Sequence, residues 1–298
     1  MDTDPGDALL NLTARIARVV QTTVGWIFWD PGAVARYVDL GLPEAFAGPL
    51  GYIAARFAPL APAGPEAVAA AFGSISPAAI AGLFSFLDNG AAFAPFAAAR
   101  DAAVLEGLST MAPELAVELA ARGPRLFDVV DALPSVGRVL FAVHRAAPRP
   151  DDPVLFGWHA VNCLREWRGD THWALVVAAG LTHPEASILH NEWLGYEQDW
   201  LPTSRGTSPE DLAAGWSSLT AKGLVVDGYV TEAAIYLREA IEVATDRACI
   251  PTWEAYGLRE TEAFAVAAEP SCVTLLEAVD RTAGPNYQPA SRTRRRRG

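Results

Sequence analysis

The chain repeats part of its own sequence, and this internal similarity constrains the fold more than any other feature. Two Leu-Gly-Tyr strings, at residues 50–52 and 194–196, stand in the same order relative to two Ser-Pro strings, at residues 76–77 and 208–209. A Pro-Glu-Ala string precedes each Leu-Gly-Tyr string. A bias towards alanine produces chance matches, but it does not place these anchors in register. We therefore predict a tandem duplication whose two copies pack as a pseudodimer.

The second copy shows the order of its elements most clearly. Ser208-Pro209-Glu210 is a typical helix start and Gly223 a typical stop, which predicts a helix over residues 208–222. Short apolar runs flank Asp227-Gly228, which favours a β-hairpin over residues 224–230. Apolar residues on a helical period then predict a helix over residues 233–247. A helix, a small hairpin and a long helix in this order indicate a winged helix-turn-helix.

The first copy repeats this plan with a degenerate wing. Its counterpart of the reading helix spans residues 76–88, Asp88-Asn89-Gly90 supplies the turn, and residues 97–119 supply the long helix. Prolines and charges over residues 145–153 cannot continue a helix and mark the boundary between the copies. We therefore expect a mainly α fold of tandem winged helix-turn-helix-like domains with short β-wings. The predicted division is a degenerate repeat at 1–147, a second repeat at 148–285 and a disordered basic tail at 286–298.

Three stretches of the chain resemble one known family. They are residues 164–172, residues 224–247 and residues 51–56. Together they resemble an actinobacterial family of winged-helix-like proteins, and the wing and long helix also resemble the MarR type of ligand-responsive repressor. Trp167 and Thr171 replace the histidine and the glycine that are typical of the family. The resemblance therefore implies a winged-helix fold more than it implies a function.

The charge distribution argues against a reader of DNA sequence. The formal net charge is −12, and five of the arginines lie in the last seven positions, so the rest of the chain carries −17 and repels phosphate backbones. The predicted reading helix of the second copy carries Glu210 and Asp211 near its start, whereas base readers use Arg, Lys, Asn or Gln. Its counterpart in the first copy has no basic residue and exposes Leu83, Phe84 and Phe86 if it points outward.

The densest group of polar residues lies near the start of the second copy. On a helix His159, Asn162 and Glu166 fall on one face, because they are spaced i, i+3 and i+7. Arg168 and His172 are spaced i and i+4. A carboxylate beside an imidazole tunes its pKa towards neutral pH, which suits a general acid or base.

This group predicts a site for cofactor-free acid–base chemistry. His172, Asp170 and Glu166 are the candidate catalytic residues, and the planar fork of Arg168 is the candidate clamp for a carboxylate, phosphate or sulfate. His159 and Asn162 are candidate substrate-binding residues. The alternative is a solvated helix face on which Gly169-Asp170 ends one helix and caps the next.

Arg56 and Glu44 form a second candidate cluster for substrate binding. Arg56 follows an apolar helix in a segment with hardly any other charge, so it needs a partner if it is buried. Glu44 or a bound anion can fill that role. A purely structural ion pair is the alternative.

The sequence contains no strong motif for cofactor, metal or nucleophile chemistry. No motif for a nucleotide, a hydrolase nucleophile or a zinc protease occurs, so we expect no cofactor. His183 and His190 lie seven residues apart on one predicted helix, which is a weak metal signal, and we expect no metal site. Cys163, Cys249 and Cys272 lack a C-x-x-C spacing, which indicates reduced thiols in the cytoplasm.

Nothing in the sequence favours a membrane protein. The acidic first residues lack the basic and apolar regions of a secretory signal. Residues 67–87 carry no charge, but their alanine, glycine and serine content and Pro77 favour a pair of buried helices over a membrane span.

Three functions remain open from the sequence. The first is a small-molecule-binding protein of specialised metabolism, with a polar or anionic ligand between two lobes that do not bind DNA. If that protein is an enzyme, we expect an elimination, cyclisation or isomerisation. The second is a MarR-like regulator that responds to a ligand, and the third is a non-catalytic subunit that binds a biosynthetic enzyme.

Overall fold

The computed structural model describes residues 5–87 and 90–283, and these residues are mainly helical. Three 3₁₀-helices, at Trp26–Trp29, Ala61–Ala63 and Gly90–Phe93, and one antiparallel pair of strands accompany the α-helices. The α-helices are α1 (Pro5–Gly25), α2 (Pro31–Asp39), α3 (Glu44–Phe57), α4 (Pro65–Ala71), α5 (Pro77–Leu87), α6 (Ala94–Met111), α7 (Pro113–Ala132), α8 (Val139–Ala146), α9 (Pro153–Ala178), α10 (His183–Leu194), α11 (Trp200–Ser204), α12 (Pro209–Ala221), α13 (Glu232–Tyr256) and α14 (Leu258–Ala283).

We call helices α10 to α13 and the hairpin the winged helix, after the order of elements that the sequence predicts, and the local signals of this segment act as predicted. The Ser208 hydroxyl accepts a hydrogen bond from the Asp211 backbone N–H at 3.0 Å and so caps α12. Strands β1 (Val225–Val226) and β2 (Tyr229–Val230) pair across Asp227 and Gly228, which both have positive φ, at 52° and 81°. Two such residues in succession form the tight turn that suits a two-residue hairpin. The predicted β-hairpin is therefore confirmed.

The predicted long helices differ from the observed ones. The helix predicted over residues 97–119 is two helices, because the chain turns at Ala112 (φ −145°, ψ 55°) before Pro113, which lacks a backbone donor. The long helix of the winged helix is one element but continues past Arg247 to Tyr256, through Pro251. Asp88 and Asn89 of the predicted first wing, and the predicted tail at 286–298, lie outside the described residues.

The uncharged segment at residues 67–87 contains most of α4 and all of α5, as the sequence predicts. Leu83 and Phe84 are buried, whereas Phe86 is 54% exposed, so only one of the three residues considered for an outward-facing helix is exposed. No helix among the described residues combines the length and the apolar character that a bilayer crossing requires.

Helix α9 lies at the centre of the larger of two hydrophobic cores. It packs against α1, α7, α8 and α13, and its closest neighbour is α7. A Cβ atom on Gly157 would lie 1.9 Å from the Leu119 carbonyl oxygen, so only glycine allows these two helices to approach so closely. The larger core contains residues from both sides of the domain boundary predicted between residues 147 and 148, and that boundary stays a prediction. The smaller core spans the winged helix from Val176 to Ile241.

The two halves of the chain also meet through the turns that precede α5 and α12. The Ser76 backbone N–H donates to the Arg205 carbonyl oxygen at 2.9 Å, and the Ser76 hydroxyl donates to the Gly206 carbonyl oxygen at 2.5 Å. Nearby, Gly73 packs so closely on the Trp173 ring that a Cβ atom there would overlap it. These contacts place the starts of the two helices side by side.

Candidate functional site

Helix α9 carries most of the candidate residues and runs without a break from Pro153 to Ala178. The alternative in which Gly169-Asp170 ends one helix and caps the next is therefore wrong, because packing on both sides keeps α9 helical through Gly169. At 3.6 residues per turn, His172 lies roughly 120° round the helix from Glu166. The structure accordingly divides the candidates between two faces of α9, which we call the closed face and the open face.

Glu166 anchors the closed face, which packs against α3 and α8. Its carboxylate accepts two hydrogen bonds from Arg56, at 2.7 and 2.6 Å, and one from Arg165 at 2.9 Å, and its side chain is 0% exposed. Burial by itself would raise the pKa of Glu166, but the charges of Arg56 and Arg165 outweigh it and hold the pKa at about 2. Glu166 is therefore a buried anion shared by two arginines.

Two histidines and an amide complete the closed face. His144 lies with one ring nitrogen 2.7 Å from the Arg56 carbonyl oxygen and the other 3.2 Å from the Asn162 amide nitrogen. His159 contacts the His144 carbonyl oxygen at 2.9 Å. Burial lowers the pKa of His144 to about 3, so its ring is neutral and links its neighbours by accepting from Asn162 and donating to Arg56.

Asp170, on the same side of α9, holds the start of α8. Its carboxylate accepts a hydrogen bond from the Phe141 backbone N–H at 2.9 Å, which satisfies one of the free donors of that helix end. Burial raises the pKa of Asp170 to about 6. This contact gives Asp170 a structural role, because its carboxylate caps the start of another helix, α8.

The prediction that pairs Arg56 with Glu44 is wrong. Glu44 lies in the first turn of α3 and is exposed, whereas Arg56 lies in its last turn, roughly 18 Å away at 1.5 Å per residue. Burial requires a partner for Arg56, as the sequence indicates, and Glu166 of α9 is that partner.

The open face of α9, which carries Arg168 and His172, is directed towards α13. Arg168 forms ion pairs with Glu242 and, at 2.8 Å, with Asp246. Glu242 also pairs with Arg238 at 2.7 Å. The side chains of Arg168 and Glu242 remain 25% and 28% exposed, so solvent reaches the space around these ion pairs. We call this space the His172–His190 recess, after the two histidines beside it.

His172 has a defined hydrogen-bonding state. Its Nδ1 lies 3.1 Å from the Thr245 hydroxyl oxygen, and the Thr245 hydroxyl donates its only hydrogen to the Ile241 carbonyl oxygen at 2.7 Å. Thr245 must therefore accept from His172, which places the ring hydrogen on Nδ1 and a lone pair on Nε2. Burial lowers the pKa of His172 to about 4, although Glu242 acts against the shift, so the ring is neutral near pH 7.

His190 has the opposite arrangement. Its Nδ1 lies 3.1 Å from Nε and 2.8 Å from a terminal nitrogen of Arg238, and arginine can only donate. The ring hydrogen is therefore on Nε2. Burial and the charge of Arg238 lower the pKa of His190 well below its usual value, and the ring stacks on Trp193 at 5.7 Å. Sequence reasoning weighed His190 only as a weak metal signal, and no local pattern shows its contact with Arg238, 48 residues further along the chain.

The catalytic group predicted from the sequence is thus separated in space. Glu166 and Asp170 lie on the closed face with Arg56, His159 and Asn162, while His172 and Arg168 lie on the open face. Among residues 5–87 and 90–283, no group of three or more His, Cys, Asp or Glu side chains is placed to hold a metal ion.

A small cavity lies beside Arg168, between α1, α9 and α13. Trp167, Cys249 and Thr252 contribute to its lining, and it has room for about one water molecule. The Trp167 indole N–H and the Thr252 hydroxyl are buried without a hydrogen-bond partner in the protein. Both residues line the cavity, so a water there can act as a partner for such a group.

Comparison with known proteins gives one match. A family model described as a helix-turn-helix family matches residues 13–281. No curated protein and no solved structure matches the chain. The finer resemblance, to an actinobacterial family and to MarR-type repressors, stays a prediction.

Proposed function

This chain belongs to the helix-turn-helix family whose model matches it, and on that premise we propose that its winged helix binds a polar small molecule in the His172–His190 recess and does not read DNA sequence through α12. The proposal has two parts, ligand binding and the absence of DNA reading, and each part rests on a different surface of the fold. One is the exposed face of α12 and the wing, and the other is the recess between α9, α10 and α13.

The observation that carries the proposal is the chemistry of the exposed reading surface. Glu210 and Asp211 at the start of α12, Asp227 in the wing and Glu232 after it are all exposed. The one lysine, Lys222, donates to the Glu185 carboxylate at 2.6 Å and to the Gly180 carbonyl oxygen at 2.8 Å. Phosphate oxygens and base edges of DNA require cationic and amide donors. This surface offers DNA four carboxylates and a cation that already has protein partners.

The recess has the composition of a binding site for a polar compound. Its arginines and carboxylates pair with one another, so their charges are largely compensated within the protein. Neutral imidazoles in contact with tryptophan rings lie beside these ion pairs, and a few convergent polar groups among aromatic side chains are typical of small-molecule sites. We therefore favour a polar ligand over a strongly anionic one.

The duplication and the pseudodimer remain part of this proposal as hypotheses. The direct contact between the turns before α5 and α12 supports them, because equivalent segments meet near a two-fold axis. Trp173 packs on Gly73 of the first half, and its ring lies edge-on to His172 at 6.0 Å. The recess therefore adjoins the seam between the halves.

The hypothesis of acid–base catalysis in specialised metabolism now depends on one residue. Glu166 and Asp170 have structural partners on the closed face, which leaves His172 as the candidate general base. Its fixed tautomer supports that role, since a lone pair is available on Nε2, whereas the lowered pKa makes the ring a weaker base than a free histidine.

A mobility-shift assay separates the proposed function from a MarR-like regulator. Full-length protein and a chain that ends at Ser291 are titrated into genomic DNA fragments at near-physiological salt. We expect retention by the full-length chain to be independent of sequence and to disappear with residues 292–298, because only that segment is rich in arginine. Sequence-specific retention by the shortened chain would contradict the proposal and support the regulator.

A further inference from the structure

We infer that the outer face of α14 binds a second copy of this chain, in an antiparallel arrangement that places Val266 of one copy on Val273 of the other. This inference does not depend on the proposed ligand, because it concerns a different helix and a different surface. It follows from the exposure, the spacing and the charges of the residues along α14.

Helix α14 has an apolar face on each side. Its inner face packs into the larger core through four fully buried side chains, Phe264, Ala265, Ala268 and Leu275. Its outer face leaves Val266 and Val273 55% and 56% exposed. Ala263 and Pro270, three or four residues from these valines and therefore beside them on the helix, are exposed as well. We call these four residues the outer stripe of α14, and an exposed apolar stripe of this kind marks an interaction surface.

Charged residues of opposite sign lie at the two ends of the outer stripe. Arg259, Val266, Val273 and Asp280 follow one another at intervals of seven residues, so they fall nearly on one line along the helix. The Arg259 side chain is 95% exposed, and Asp280 is exposed too. From the start of α14 to its end, the line therefore carries a cation, two valines and an anion.

This order of residues is complementary to itself when two copies run in opposite directions. If Val266 faces Val273 of the second copy, Arg259 faces Asp280 of the second copy, and a two-fold axis produces each contact twice. A parallel arrangement would put like charges together at both ends, which is unfavourable. The charges of α14 therefore favour a second, antiparallel copy as the partner.

The carboxylates beside the outer stripe are compatible with this register. Glu262 and Glu277 lie roughly 60° and 40° to opposite sides of the line, so they do not meet across the two-fold axis. A single pair of helices is a small contact compared with the interfaces of permanent dimers. We therefore expect a reversible dimer with a dissociation constant in the micromolar range.

Sedimentation velocity of the full-length protein, over about 1 to 100 µM, tests the surface. We expect a monomer–dimer equilibrium whose dissociation constant rises at least about tenfold in Val266→Glu, because the new carboxylate faces a valine. Val177→Glu is the matched control, since Val177 is 70% exposed and lies near the end of α9. A wild-type protein that is monomeric throughout, or a dimer that Val266→Glu leaves unchanged, would overturn the inference.

Cysteine cross-linking of the full-length chain tests the register. Val266→Cys and Val273→Cys are oxidised separately and as an equal mixture, and the three native cysteines are buried. We expect disulfide-linked dimers in the mixture alone, because equivalent residues of the two copies lie about 10 Å apart along the helices, too far for a disulfide. Efficient cross-linking of either variant by itself, or none in the mixture, would overturn the antiparallel register.

Charge reversal tests the ends of the stripe by the same sedimentation measurement. We expect Arg259→Glu and Asp280→Arg each to weaken the dimer several-fold, and the chain with both substitutions to regain most of the affinity. A doubly substituted chain that dimerises no better than the weaker single variant would overturn the pairing of Arg259 with Asp280 of the second copy.

Discussion

Glu166→Gln is expected to destabilise the protein by about 3–5 kcal/mol, because it leaves two arginines without their buried counter-charge. Arg56 and Arg165 are only 14% and 13% exposed at the side chain, and Glu166 is fully buried between them. Glutamine keeps the size of the side chain and one acceptor oxygen but removes the charge. Urea unfolding at pH 7.5, with wild type and variant compared at the same temperature, measures the change.

Glu269→Gln is a closely matched control for this experiment. Glu269 also accepts two hydrogen bonds from one arginine, Arg15, at 2.6 Å each. The pair is 42% and 31% exposed, so the same substitution should cost no more than about 1 kcal/mol. Equal losses for the two variants would show that burial does not decide the strength of these pairs, and a loss below about 1 kcal/mol for Glu166→Gln would contradict a structural role for the closed face.

The free energy of unfolding is expected to fall steeply as the pH is lowered from 6.5 towards 5. Burial lowers the pKa of every histidine in the chain, to about 3 for His144, to about 4 for His172 and well below its usual value for His190, and it also lowers the pKa of His159 and His183. In the unfolded chain these rings take up a proton near pH 6.5, whereas in the folded protein they stay neutral. Acid therefore favours the unfolded chain.

The size of the effect follows from proton linkage. A histidine that stays neutral in the fold costs up to about 1.4 kcal/mol per pH unit below 6.5, so His144, His172 and His190 together remove roughly 5 kcal/mol between pH 6.5 and 5. Carboxyl groups whose pKa burial raises act in the opposite direction and offset part of this loss: Asp170, to about 6, and also Asp30, Asp199 and Asp246.

Urea unfolding at pH 7.5, 6.5, 5.5 and 5 tests this expectation. The midpoint should change little above pH 7 and should fall progressively below 6.5, and His172→Phe should reduce the slope by about one proton. A midpoint that stays constant or rises between pH 6.5 and 5 would contradict the buried, neutral state of these rings.

The parts of the fold that follow from neighbouring residues could be predicted from the sequence. Ser208 caps α12 and Asp227-Gly228 turns the hairpin, since both act within four residues of themselves. The spacing of His159, Asn162 and Glu166 places them on one helix face for the same reason. Sequence could not show what that face meets.

The candidate site depends on contacts between residues that are far apart in the chain. Burial demands a partner for Arg56, but the choice of Glu166, 110 residues away, depends on how α3 packs on α9. Gly169-Asp170 has the local features of a helix end, yet packing on two sides keeps α9 continuous. His190 acquires its role from Arg238, which also pairs with Glu242 at i+4. Only the last of these pairs is visible as a local pattern.

The division of α9 into a closed and an open face changes which residues deserve mutation in a search for function. Glu166, Asp170, His159 and Asn162 have protein partners, so substitutions there report on stability. His172 and His190 each keep one ring nitrogen without a partner among the described residues. Substitutions at these two histidines report on binding.

Native mass spectrometry of the full-length protein, purified from its natural source without small-molecule additives, tests the binding function most directly. We expect the wild-type protein to carry a small organic compound in addition to the chain mass, and His172→Phe purified in the same way to have lost it. A wild-type protein with no bound compound, or a compound that remains on His172→Phe, would contradict the His172–His190 recess as the functional site.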